Sequence, residues 1–363
     1  MSWLILILLF PYLYLLLKIY LGLLSITQFH AEKSGKVFLS VVVPCRNEEK
    51  NLPFLLSDIA RQTLDDNLFE LIIVDDNSDD STFQTASGFH LVRNMKVIRN
   101  EASGKKNAIR NGVLASTGNL IVTIDADCRI EKTFLETLSS FYNEMIPKLI
   151  ICPVVLESGK SFFYRFQELE FLSLQGVTAG SAMLGDPVMC NGAGLAFKKE
   201  AFLRHSVNMH YELASGDDIF LLHSIKKENR LSIKWIESSA ATVTTKLAGT
   251  PADFIRQRSR WISKTAYYSD ISAKVLAIVT FVTILIQLAL LVAGIFFPKM
   301  LLIFVAFLIL KSVPDFLILE NTASRYGKNN LLTWFLPSQI IYPFYVSVIV
   351  LCSLFFKKQT TGF

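Results

Sequence analysis

Asp125 and Asp127 stand on either side of Ala126, directly after the apolar run at residues 120–124. On extended backbone, residues two apart face the same side, so the two carboxylates can converge. Hard oxygen ligands of this kind suit Mg²⁺ or Mn²⁺, which completes its shell with water and phosphate oxygens. Such an ion neutralises charge on a departing diphosphate. A solvated turn is the plainer alternative for such a pair taken alone. Asp75 and Asp76 end a second apolar run, residues 71–74. A carboxylate there can accept a base N–H or a ribose hydroxyl in a charge-assisted bond. Asp217 and Asp218 precede an apolar stretch at 219–222. They can open a helix, or one can take the proton of an attacking hydroxyl, a step typically worth about 10²–10⁴-fold.

Gln257, Arg260 and Trp261 form a fourth group. At i, i+3 and i+4 they share one helical face. Arginine offers a planar fork for phosphate, and tryptophan a flat surface for a sugar ring. An interfacial helix with snorkelling arginines and a belt tryptophan is the alternative. Arg256 and Arg258 fall off that face and read as lipid-facing.

These residues need elements to hold them. Residues 37–43, 71–74, 95–98, 120–124 and 149–155 are short, apolar and rich in β-branched side chains, and read as buried strands. Helix-like stretches separate them, which predicts an α/β domain with a mostly parallel sheet and helices on both faces. Ligands of such sheets bind beyond the carboxyl ends of the strands, where the strand order switches. Asp75-Asp76 and Asp125/Asp127 sit at such ends. Asn47 is expected to cap a helix whose first turn holds Glu48 and Glu49. Residues 77–81 read as a turn and cap, which makes Asp79 and Asp80 structural. Asn191-Gly192-Ala193-Gly194, before a short strand at 195–197, either lets backbone approach a sugar or forms a plain turn.

The ends of the chain differ in character. Of 363 residues 52% are hydrophobic, and the excess lies at the two termini. Residues 2–26 carry Lys18 as their one charge, 275–297 and 331–356 carry none, and 301–319 carry Lys311 and Asp315. About 20 apolar residues cross a bilayer as a helix, so each stretch can span, the third being interrupted by Lys311, Pro314 and Asp315. The first reads as an uncleaved anchor, since it lacks a basic n-region and a nearby small-residue cleavage site. Glu32, Lys33 and Lys36 follow it while only Ser2 precedes it, which predicts a cytoplasmic central domain. Four spans would then carry Lys357-Lys358 outside, against the same rule. Either one hairpin is re-entrant, or the last segment, with Pro337 and Pro343, does not cross. Lys311 and Asp315, four apart, are expected to pair within the membrane.

Other classes are disfavoured. Five cysteines without a CxxC spacing argue against a disulfide framework, and five histidines without paired spacing argue against zinc. A net charge of +5 makes no case for nucleic acid.

The four groups, in this order and ending before an apolar region, resemble the membrane-bound family 2 glycosyltransferases, which include cellulose, chitin and hyaluronan synthases and ceramide glucosyltransferases. The resemblance covers residues 37–265. It implies a GT-A-type, Rossmann-like cytoplasmic domain with flanking transmembrane helices. The divisions are an anchor at 1–27, a catalytic domain at 37–248, an interfacial helix at 249–270 carrying the QxxRW motif, and about three helices over 272–358. It further implies inverting transfer from a nucleotide-diphosphate sugar, by analogy a UDP-sugar, to a lipid, lipid-linked or polysaccharide acceptor. Asp218 would be the base, and Asp127 would hold Mg²⁺ or Mn²⁺. Pro44, Asp75, Asp76, Lys105 and Asp125 would meet the donor, while Asp217, Gln257, Arg260 and Trp261 would face the acceptor and diphosphate. For Lys105, solvent exposure is the alternative. Many processive members have Thr-Glu-Asp where this chain has Ser215-Gly216-Asp217-Asp218; the base is kept and its neighbour is one methylene shorter. A processive synthase that needs a partner subunit, a catalytically silent scaffold, and a small transporter with a soluble appendage are the competing readings.

Overall fold

A computed structural model describes residues 2–31, 37–213 and 215–355. Glu32, Lys33, Lys36, Lys357 and Lys358, on which the orientation expectation rests, lie outside the described residues. The chain divides into two compact units. Among the described residues, the sheet unit takes Thr27–Glu157 and Met189–Lys246, and the helical unit takes residues 2–26, 158–188 and 247–355.

In chain order the helices are α1 Phe10–Leu24, α2 Leu52–Ile59, α3 Thr82–Ser87, α4 Lys105–Ala115, α5 Phe134–Met145, α6 Phe162–Met183, α7 Lys199–His205, α8 Asp217–Asn229, α9 Pro251–Ser263, α10 Ile271–Phe296, α11 Pro298–Arg325 and α12 Phe335–Leu354. The strands are β1 Leu39–Cys45, β2 Phe69–Asp75, β3 Met95–Arg99, β4 Leu120–Thr123, β5 Arg129–Ile130, β6 Leu149–Ile151, β7 Val154–Leu156, β8 Leu195–Lys198, β9 Ile233–Trp235 and β10 Val243–Thr245.

The main sheet has the order β3-β2-β1-β4-β8-β6-β9, with β8 antiparallel to both of its neighbours and the other pairings parallel. Every residue of β1, β2 and β4 is buried, as expected for strands covered on both faces. From β1 the chain moves to β2 on one side and later to β4 on the other. The order therefore switches between β1 and β4, and the carboxyl ends of β1, β2 and β4 surround that point. At the opposite end of β2, Glu70 is buried and accepts from Thr117 N (2.5 Å), Thr117 Oγ1 (2.7 Å), Ser40 Oγ (2.7 Å) and Lys96 Nζ (2.9 Å). Burial works against this carboxylate, but the four donors hold its pKa down at about 2.

Two local expectations are corrected. The run at 149–155 is two strands in different sheets, for β7 joins β10 and β5 in a small second sheet. Pro153 lies between them, and without an N–H it cannot carry a ladder through; its carbonyl accepts from Val243 N at 2.9 Å instead. Asn47 does not cap a helix. It sits at φ 56°, and α2 begins five residues later, after Asn51. Its side chain accepts from Asp79 N (2.8 Å), tying the loop after β1 to the loop after β2. Asp80 is structural as expected, accepting from Glu49 N and Thr82 N.

In the helical unit, Trp3–Leu24, Ile271–Phe296, Pro298–Arg325 and Asn329–Leu354 are long and apolar enough to cross a membrane. Pro314 and Pro343 are accommodated inside continuous helices. Lys311 is buried and donates to Asp315 Oδ2 (2.7 Å) and Gln339 Oε1 (2.9 Å), while Tyr12 OH donates to Asp315 Oδ1 at 2.5 Å. The expected ion pair is present, and it ties α1, α11 and α12 together.

Candidate active site

The sheet unit gathers most of the residues singled out from sequence. Pro44 lies buried near the end of β1, in register with Val74 on β2. Asp75 and Asp76 follow at the end of β2, both buried, but their surroundings differ. Asp76 accepts from Gly104 N with both oxygens (2.9 and 3.0 Å) and from Asn100 Nδ2 (2.5 Å), with Arg46 Nη1 at 3.8 Å. Asp75 accepts from Ser78 N at 3.3 Å through Oδ2, while its Oδ1 is buried without a hydrogen-bond partner. Such an atom costs about 1–3 kcal/mol unless something supplies a donor. Asp76 therefore builds the pocket wall, and Asp75 keeps an acceptor oxygen for a ligand.

Gly104, at φ 108°, is the residue before α4 and places Lys105 at the first position of that helix. Lys105 Nζ lies 2.6 Å from Asp125 Oδ1. Burial opposes its charge, but Asp125, then Asp217 and Asp218, hold its pKa well above the ordinary lysine value. This lysine thus lies within electrostatic reach of both acidic groups. Asp127 is the counterpart: burial, then the charge of Asp125, push its pKa up, while Lys105 pulls it down. A carboxylate held against burial and a like charge is stabilised by any cation that reaches it.

Asp217 and Asp218 open α8, and Gly216 before them has φ 99°, a conformation that favours glycine. Asp218 Oδ2 accepts from Gly192 N at 3.2 Å and its Oδ1 from Ile219 N at 2.7 Å. A Cβ on Gly192 would come within 3.0 Å of Asp217 Oδ2. The Asn191–Gly194 stretch thus packs directly against the acid pair, more than a plain turn would require.

Glu48 belongs, with Pro44, Arg46 and Asn47, to the first nucleotide-pocket strand end that the family resemblance implies. It is half-buried, accepts from Asn51 Nδ2 at 2.6 Å, and has a raised pKa. Burial is the main cause, offset by the Asn51 bond, with Asp127 and Asp125 adding to the rise. The sequence signal was an acid shortly after a strand end, as for Asp75 and Asp125.

Gln257, Arg260 and Trp261 lie on α9 of the helical unit. Arg258, expected to face lipid, is instead buried, a correction with a clear cause. Glu170 on α6 receives its Nε (3.0 and 3.2 Å) and Nη2 (2.7 Å), and Tyr345 OH on α12 donates to the same carboxylate at 3.1 Å. Arg258 also donates to Gln257 Oε1 (2.6 Å) and lies 4.1 Å from the ring centre of Trp261. Arg256 is exposed.

Residues 40–205 match the family described as Glycosyl transferase family 2. The mouse dolichyl-phosphate beta-glucosyltransferase is 36% identical over 121 residues, 30% of this chain and 37% of that protein. An undecaprenyl-phosphate 4-deoxy-4-formamido-L-arabinose transferase from Proteus mirabilis is 36% identical over 100 residues, 26% of this chain and 30% of that protein. The chain spans about a third of the length of these curated relatives. Among solved structures, the mannosyltransferase PcManGT from Pyrobaculum calidifontis, in complex with GDP-Man and Mn²⁺, superposes with a TM-score of 0.59 at 16% identity, covering 98% of this chain and 99% of that one. That likeness establishes the GT-A fold.

Proposed function

With a family 2 glycosyltransferase domain at residues 40–205 as the premise, we propose that the protein transfers a sugar, with inversion, from a nucleotide-diphosphate donor to a lipid-linked acceptor at the membrane. The observation that carries this reading is Lys105: it pairs with Asp125 at 2.6 Å and is held charged by Asp217 and Asp218 as well. This shared electrostatic partner supports reading the donor-side acids and the candidate base as parts of one site.

Asp75, with its open oxygen, accepts an N–H of the nucleotide base; Asp76 and Pro44 shape the pocket around it. Asp127 and Asp125 fit Mg²⁺ or Mn²⁺ by donor type and by the raised pKa of Asp127. Among the described residues no group of three or more His, Cys, Asp or Glu side chains could hold an ion by itself, so water and donor phosphate would complete the shell. When bound, the cation neutralises the leaving diphosphate. Lys105 adds a positive charge on the same side. Asp218, held by Gly192 N, takes the proton of the acceptor as its oxygen attacks the anomeric carbon. The new C–O bond forms while the bond to the diphosphate oxygen breaks, and the diphosphate leaves with the electron pair.

The acceptor assignment draws on the relatives, whose names specify dolichyl phosphate and undecaprenyl phosphate, and on the four long apolar helices. The catalytic domain would face the cytoplasm. The test is turnover in membranes containing the full chain, with a panel of UDP-sugars and GDP-Man, added polyprenyl phosphates, and Mn²⁺ or Mg²⁺. Nucleotide release from one donor, with a lipid product of inverted anomeric configuration and loss on chelation, is the expected result. A retained configuration, or silence on every donor by folded protein, would refute the reading.

A further inference from the structure

Two consecutive lysines, Lys105 and Lys106, open α4, with no acidic residue in that first turn. A helix N-terminus disfavours cations, so both charges stand where the backbone opposes them. Lys105 is accounted for by Asp125. Lys106 is buried at 4% exposure, and its ammonium turns to a different segment. It donates to the carbonyl oxygens of Met209 (2.8 Å) and His210 (2.7 Å), two adjacent backbone groups about a hundred residues away in sequence. The segment it grips leads, within a few residues, to Gly216, Asp217 and Asp218.

Three further contacts fix the same point. Lys106 Nζ lies 4.9 Å from the ring centre of Phe220, on the first turn of α8 two residues after Asp218. The His210 ring packs on Phe220 at 4.7 Å, and His210 itself holds φ 51°. Arg110, one turn along α4 from Lys106, lies 6.0 Å from the ring centre of Tyr211. A buried ammonium in two charge-assisted bonds is a costly device for closing a loop, since an apolar side chain could fill the space without desolvating a charge. What the charge supplies is direction: two carbonyls are fixed at defined points relative to α4.

We propose that Lys106 is a positioning residue for the acid pair, so that α4 sets donor side and base side in one geometry, Lys105 through Asp125 and Lys106 through the 209–210 backbone. The proposal rests on the glycosyltransferase reading for its catalytic consequence. Its structural half stands apart from that reading.

The experiment compares wild type and Lys106→Met in the full chain, in detergent or nanodiscs. Three quantities are read: backbone amide exchange over residues 209–218, affinity for UDP with Mn²⁺, and kcat and KM on the donor that the wild type uses. Expected are faster exchange confined to 209–218 and UDP affinity within about twofold. Expected too is a kcat lower by about 10- to 100-fold at unchanged donor KM, the scale of a small misplacement of a reacting group. Lys106→Gln keeps a shorter donor and carries the same comparison should the methionine variant fail to fold. Unchanged exchange over 209–218 overturns the proposal whatever the activity. So does a kcat loss that merely follows a loss of UDP binding or of thermal stability. A wild-type chain inactive on every donor refutes the glycosyltransferase reading, and with it the catalytic half of the proposal; the exchange data then decide the structural half.

Discussion

The neighbouring acids Asp75 and Asp76 should fail in opposite ways when each is changed to asparagine. Asp76 is fully buried, and both its oxygens accept, from Gly104 N and from Asn100 Nδ2. An asparagine there turns an NH₂ toward one of those donors and loses the charge. Hydrogen bonds to a charged group contribute about 1.5–3 kcal/mol each, so losing one and weakening the other should cost about 2–4 kcal/mol. In a unit of this size each kcal/mol lowers the Tm by about 2–4 °C, which places the fall at about 4–16 °C. Asp75 has one long bond, 3.3 Å from Ser78 N, and an oxygen with no partner. Asp75→Asn should leave the Tm within about 2 °C, while losing a charge-assisted bond to the base weakens nucleotide binding by about 10- to 150-fold. The assay is thermal unfolding of each variant in detergent beside calorimetric titration of UDP and GDP with Mn²⁺. If Asp75→Asn unfolds as early as Asp76→Asn yet binds nucleotide normally, the division of labour assigned to this strand end is wrong.

Three other outcomes follow from the same contacts. Glu70 has its pKa lowered from 4.5 to about 2 in the folded chain, so its stabilisation is complete above about pH 4.5 and fades as pH falls toward about 2; Glu70→Gln should remove that acid sensitivity and about 3 kcal/mol at neutral pH, as pH-dependent unfolding would show. In the helical unit, Lys311→Met leaves Asp315 without its counter-charge and should cost about 3–5 kcal/mol, whereas Lys311→Met with Asp315→Leu should cost less; equal losses in a thermal double-mutant comparison would contradict this. The pH profile of Asp218→Asn reports the acceptor. A lipid phosphate loses its own second proton near about pH 6, so the deficit should shrink above that pH, while a hydroxyl acceptor would leave it unchanged; a deficit that grows with pH on a lipid phosphate would count against Asp218 as the proton acceptor.

Much of this site was legible in the sequence because strand ends are. Short β-branched runs followed at once by acids identify both the parallel strands and the edge where ligands bind, and β2 and β4 lie where those runs predict. The failures have a common origin in contacts between distant residues. Arg258 falls off the motif face by helical arithmetic, and nothing local shows that Glu170, 88 residues earlier, receives it. Nor can Asp75 be told from Asp76 without knowing that Gly104 N turns to the second of them. The grip of Lys106 on the 209–210 carbonyls is likewise invisible, since its partners are backbone atoms that carry no sequence signature. The split at Pro153 was readable in principle: a proline inside a seven-residue apolar run signals a break in the ladder.

The central claim is that Asp218 takes the acceptor's proton in a site that binds the donor independently of it. The most direct measurement is Asp218→Asn in the full chain near pH about 6, where a hydroxyl and a good share of a lipid phosphate still carry that proton, with nucleotide affinity and sugar transfer determined on the same preparation. Nucleotide affinity within about threefold of wild type, with transfer to a hydroxyl acceptor reduced by about 10²–10⁴-fold and transfer to a lipid phosphate reduced in proportion to its protonated share, is the result predicted. Transfer at close to the wild-type rate would contradict it.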